Sequence, residues 1–169
     1  MVPMSAVAGQ SLIWKPESVF SSRYVLVYQD ALLGRLSMRS WTNAATAETA
    51  EGRLQLSTQG IFKQDIVVFD DTGDKIAAFS QKMSKGIVQF ADGRMLNWIN
   101  GSGWGTKKAW ADISDVPFVY FESVSFSRQI QVTIAPAGRT ISELSLLVVL
   151  GMYIITLLNR SSTVAATIR

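Results

Sequence analysis

Between Leu144 and Leu158 the chain carries no charged side chain and few polar ones. Wound as a helix, the stretch Leu144-Ser145-Leu146-Leu147-Val148-Val149-Leu150-Gly151-Met152-Tyr153-Ile154-Ile155-Thr156-Leu157-Leu158 is apolar on every face, so it must be buried all round, in protein or in lipid. At 1.5 Å per residue the run is only about 22 Å long, short of the ~30 Å hydrocarbon layer that a spanning helix crosses. Extending it through Ile141 brings in Glu143. A core helix over 141–158 is the first reading and a C-terminal membrane anchor, flanked by Arg160 and Arg169, the second. Thr140 and Glu143 have the spacing of a capping box, in which the hydroxyl satisfies an amide of the first turn and the carboxylate reaches back.

What precedes the helix must then supply a wall for it. From about Ser11 to Ala135 short apolar-polar alternation is broken by turn residues, the pattern of a β-meander. Expected strands include 23–28, 32–38 and 53–57, where Leu54 and Leu56 share one face and Arg53 and Gln55 the other. A hairpin is expected from 64–69 to 75–80 through Asp70-Asp71-Thr72-Gly73-Asp74, and another from 86–90 to 94–99 through Ala91-Asp92-Gly93, with Asp-Gly as a type I′ pair. Strands at 107–113, 118–126 and 129–134 complete the run. The expected fold is mainly β: a closed antiparallel barrel of roughly 10–12 strands around a hydrophobic C-terminal helix. An N-terminal extension, 1–10, precedes the barrel domain at 11–160, and a tail, 161–169, follows it.

The chain has no cysteine and no histidine. Thiolate and imidazole metal sites, Ser-His-Asp and Cys-His nucleophiles and an imidazole general base are therefore excluded. No cofactor is implied, and no disulfide framework points to an oxidising compartment. The net charge of +3 comes from basic residues spread along the chain, which is not a nucleic-acid footprint. Met1 to Ser11 lacks the basic and apolar segments of a secretory signal, so the cytoplasm is the expected compartment.

Many antiparallel strands followed by one all-round-apolar helix resemble the tubby-like architecture shared by LURP-one-related proteins and phospholipid scramblases. The stretches that carry the resemblance are the hairpin Val67 to Lys82 and the helix Leu144 to Leu150, within a span from Val19 to Asn159. The resemblance implies a C-terminal helix threading a closed barrel, and a non-enzymatic binding or scaffold module associated with anionic phospholipid. Two features of the family are missing: an acidic calcium segment after the helix and a cysteine-rich palmitoylation stretch. A calcium-activated scramblase is not implied, and a dense basic pocket of the phosphoinositide-binding kind is not evident.

Lys82, Lys85, Lys107 and Lys108 are candidate contacts for an anionic headgroup or membrane surface, if barrel closure gathers them on one rim. Trp104, in the glycine loop Asn100 to Gly105, is a candidate interfacial aromatic. Trp98 and Trp110 lie in strands, where core packing is their ordinary fate. Asp70, Asp71 and Asp74 offer oxygen ligands at close spacing but fit a plain β-turn better, so no metal site is assigned. A small-ligand carrier or enzyme with a site in the barrel mouth is the remaining alternative, disfavoured because a barrel filled by its own helix keeps little room for a ligand.

Overall fold

The computed structural model describes residues 1–60, 65–83, 85–101 and 107–167. Within them twelve antiparallel strands close into one barrel: β1 (Ser11–Pro16), β2 (Arg23–Tyr28), β3 (Ala31–Met38), β4 (Ala45–Thr49), β5 (Gly52–Gln59), β6 (Asp65–Phe69), β7 (Lys75–Lys82), β8 (Lys85–Phe90), β9 (Met95–Asn100), β10 (Lys107–Ala111), β11 (Pro117–Ser123) and β12 (Ile130–Ile134). Each strand pairs with its neighbours in sequence. The ring closes where β12 returns to β1, from Ser11↔Thr133 to Trp14↔Ile130, which leaves no free sheet edge.

Strand alternation decides what faces inward. Leu12 and Trp14, Leu26, Leu56, Val68, Phe79, Val88, Trp98, Trp110, Phe121 and Val132 are buried and line the interior. Trp98 and Trp110 thus take the packing role expected of them, with ring centroids 4.7 Å apart and Phe121 5.3 Å from Trp98. Through this lining runs helix α1 (Leu144–Thr167). It starts later than the capping-box spacing implies and continues well past Leu158. By length and composition it could cross a membrane, yet 72% of its most apolar window is buried inside the barrel.

The expected strands do not include β1 or β4, and for β4 the reason is physical. Its inward residues, Ala45 and Ala47, are alanines, 3% and 1% exposed, where α1 passes close to the wall. A methyl is all the gap admits, so the branched and aromatic side chains that mark a strand are absent there. Gly151 makes the same accommodation from the helix side: a β-carbon there would sit 2.3 Å from Cζ of Phe121.

Polar anchors fix the helix along its length. The Trp110 Nε1–H donates to the Leu147 carbonyl at 2.7 Å. The phenol of Tyr153 donates to the Asn43 carbonyl, and burial pushes its pKa up to about 12, so it stays a donor across the physiological range. Glu143 pairs with Arg94 in the β8–β9 turn. Burial pushes the Glu143 carboxyl up, but the hydrogen bonds from Arg94, Ser142 and its own backbone amide, with the Arg94 charge, together outweigh it and the net shift is downward. The capping box itself does not form, because Thr140 Oγ1 donates to the Ala137 carbonyl within the 3₁₀ turn Pro136–Thr140 and the Glu143 carboxylate is taken by Arg94.

The β8–β9 turn also differs from the type I′ expectation. Gly93 has φ +89°, but Asp92 does not have a positive φ. Gly93 N–H donates to Phe90 O at 3.0 Å and Phe90 N–H to Arg94 O at 2.9 Å, the three-residue loop with a left-handed glycine. The β6–β7 turn repeats it with Gly73 at φ +90°.

Candidate functional site

Antiparallel order sorts every connection to one end of the barrel. The lower rim, where α1 enters, carries residues 29–30, 50–51, 70–74, 91–94 and 112–116. The upper rim, where α1 leaves, carries 17–22, 39–44 and 124–129, together with the ends of β7 to β10 from which Lys82, Lys85, Lys107 and Lys108 project. Charge divides along the same axis. Asp30, Glu48, Glu51, Asp70, Asp71, Asp74, Asp92, Asp112, Asp115 and Glu143 lie at or beside the lower rim, against Arg53, Lys75, Arg94 and Arg139. Arg23, Arg39, Lys82, Lys107, Lys108, Arg128 and Arg160 lie at the upper rim, against Glu17, Asp65 and Glu122.

The four candidate lysines therefore start from one rim, but they are not equivalent. Lys82 and Lys85 face each other across the β7–β8 hairpin. Lys85 escapes that repulsion by laying its ammonium down the outer wall onto Asp115, whose other oxygen accepts from Asn97 Nδ2 at 2.8 Å. The bonds from Lys85 first, then Asn97, hold the Asp115 carboxyl below its ordinary value. Lys82 is exposed and has no ion-pair partner among the described residues. Lys107 lies over the Tyr120 ring at 5.2 Å. Lys108 bonds Asn100 at the mouth of a crevice of about 410 Å³ beside the exit of α1, walled by Ile66, Phe79, Trp98, Leu157 and Leu158. Trp104 lies outside the described residues, as do Arg169 and the Gln64 end of the first hairpin.

A larger feature of this rim was not anticipated. The β3–β4, β1–β2 and β11–β12 loops are consecutive around the barrel, and with the end of α1 they enclose a cleft of about 830 Å³. Its lining is rich in hydroxyls and amides, including Ser21, Ser40, Thr42, Asn43, Ser123 and Ser127, and contains the guanidiniums of Arg128 and Arg160. Arg128 donates to Val19 O at 2.8 Å, Ser21 O at 3.2 Å and the Tyr24 hydroxyl at 2.8 Å. Arg160 donates to Arg39 O at 3.1 Å. These partners are neutral, so among the described residues no carboxylate compensates either cation.

Around the cleft stand Phe20 and Trp41, each 98% exposed, and Phe126, 110% exposed. Phe126 also has φ +59°, a left-handed conformation that costs a residue with a β-carbon roughly 1–2 kcal/mol. The signal that could have found them is an aromatic set among turn residues, Ser40-Trp41-Thr42-Asn43 and Ser125-Phe126-Ser127, where burial has no use for it.

At the lower rim the aspartates serve the turn. Asp70 Oδ1 accepts from the Thr72 hydroxyl at 2.7 Å, Asp74 N–H at 2.9 Å and Thr72 N–H at 3.0 Å; the hydroxyl bond contributes most to holding its carboxyl below the usual value. Among the described residues no group of three or more Asp or Glu side chains is placed to hold a metal ion. Comparison of the chain with known protein families, with curated proteins and with solved structures finds no match.

Proposed function

We propose that this chain is a non-enzymatic binding module of the tubby-like kind, related in organisation to LURP-one-related and scramblase proteins, which works in the cytoplasm and binds anionic phospholipid with its upper rim. The observation that carries the reading is the separation of charge along the barrel axis: cations surround the exit of α1, and most carboxylates sit at the other end. An anionic surface attracts one end of such a molecule and repels the other, which orients it as well as binding it. The hydroxyl-lined cleft holding Arg128 and Arg160 is the seat for a headgroup, since uncompensated guanidiniums favour phosphate oxygens. The helix filling the barrel supports a surface function over chemistry inside it.

Co-sedimentation with vesicles tests this. The protein is expected to pellet with phosphatidylcholine vesicles containing phosphatidylserine and not with phosphatidylcholine alone, and to come off as salt rises. Each cation near such a surface contributes about 1 kcal/mol, so Lys82→Gln with Arg160→Gln should weaken binding roughly 30-fold. Lys85→Gln should change it less than about twofold, because Asp115 already neutralises that lysine on the outer wall. Equal binding to neutral vesicles, or a Lys85 effect as large as that of the pair, would count against the proposal.

A further inference from the structure

We infer that Phe20, Trp41 and Phe126 form a wedge that inserts into the interfacial layer of an anionic bilayer, planting the upper rim in the membrane instead of leaving it at the surface. The inference deepens the lipid-binding reading and rests on it for the partner, but not for the mode of contact. Three observations carry it.

First, these aromatic side chains stand on three consecutive loops around one cleft, and all are essentially fully exposed. Scattered apolar residues on a surface need no explanation, whereas large aromatics gathered at one rim do. Val19, 75% exposed beside Phe20, enlarges the same group. Second, Phe126 occupies a left-handed backbone position at a loop tip, where glycine or asparagine would serve the turn with less strain. A bulky aromatic held there at a cost to folding, with its ring wholly in solvent, is accounted for by something outside the chain.

Third, the surroundings select a membrane over a protein partner. The aromatics are separate tips around a polar cleft of about 830 Å³, not one continuous apolar face. A protein interface would need a complementary surface to fill that cleft, whereas a fluid interface accepts each tip separately and fills the cleft with headgroups. Trp and other amphipathic rings favour the headgroup boundary. Arg128 and Arg160 line the cleft that Phe20 and Trp41 border, where lipid phosphates would meet them. The interfacial layer of a bilayer bearing acidic lipids meets both requirements, apolar tips and cations.

The experiment uses the intact protein with vesicles of phosphatidylcholine and phosphatidylserine, some carrying bromine on their acyl chains. Tryptophan emission is expected to shift to the blue on binding and to be quenched by the brominated lipid. In a Trp104→Phe background, Trp41→Phe should remove the quenching that remains while leaving most of the binding. Phe126→Asn should make the protein more stable to urea, by relieving the left-handed strain, yet bind vesicles about fivefold more weakly. A purely structural role would move both quantities the same way. The triple change Phe20→Ser, Trp41→Ser and Phe126→Asn should cost on the order of a hundredfold and leave a residual binding that salt abolishes. If vesicles bind without quenching and the triple variant binds as well as the parent, insertion is wrong while electrostatic binding stands. Failure to bind acidic vesicles at all would remove both. If the triple change instead converts a dimer to a monomer without altering vesicle binding, the tips serve contact between copies and the inference falls.

Discussion

A chain cut after Ala137 is expected to aggregate instead of forming a shorter barrel. The truncation removes α1, whose Leu144, Leu146, Leu147, Val148, Val149, Leu150, Met152, Tyr153 and Ile154 are all buried. At roughly 1.5–3 kcal/mol for each of these nine buried side chains, the loss is on the order of 20 kcal/mol. That exceeds the ~5–15 kcal/mol of net stability that a domain of ordinary size possesses. The wall residues Trp14, Leu36, Val88, Trp98 and Phe121 would line an empty channel too wide for them to fill. Circular dichroism and size exclusion of the truncated chain check this. A synthetic peptide covering 138–167, added during refolding, should recover soluble barrel; a truncated chain that is monomeric and cooperatively folded without the peptide would show that the helix is dispensable to the fold.

The second large effect concerns one atom position. Gly151→Ala should destabilise the protein even though alanine is favoured over glycine in a helix by about 1 kcal/mol. The added methyl would meet Phe121 Cζ at 2.3 Å and its two Cε atoms at 2.7 Å. Phe121 is fully buried and packed edge-on to Trp98, so its ring has nowhere to go. Overpacking of this kind costs typically about 1–3 kcal/mol, and Gly151→Leu should exceed that range and leave no cooperative urea transition. Phe121→Leu should be rescued in part by Gly151→Ala, since the methyl then fills space that the ring vacated. Additive effects of the two changes in a double-mutant cycle would mean that the close approach of α1 to β11 is not as described.

Periodicity made most of this architecture legible. A helix apolar on all faces, Leu144 to Leu158, could be buried only by a surrounding wall, and the alternating runs before it supplied strands enough to close one. What stayed hidden depended on closure. The alanines of β4 carry no strand signature, because their size answers to the helix that passes them. Lys85 looked equivalent to Lys82 in sequence, yet the stagger of the barrel brings Asp115 within its reach and takes it out of the cation group. Thr140 and Glu143 had the right spacing for a cap, but Arg94, distant in sequence, competed for the carboxylate. At the candidate site the strand ends that carry the four lysines were legible, but that they share one rim follows only from closure. The aromatic tips and the Arg128–Arg160 cleft were not legible, because which loops are neighbours is known only when β12 has met β1.

The central claim is that α1 belongs to the interior of the barrel and that the membrane, where the protein meets one, touches only the upper rim. The most direct test is fractionation of cells expressing the intact chain, with the membrane pellet washed in turn by high salt, alkaline carbonate and detergent. A helix that fills its own barrel predicts release of folded protein by salt or carbonate, with no need of detergent. Retention of the intact chain in the pellet through both washes, and release by detergent alone, would place α1 in the bilayer and contradict the account.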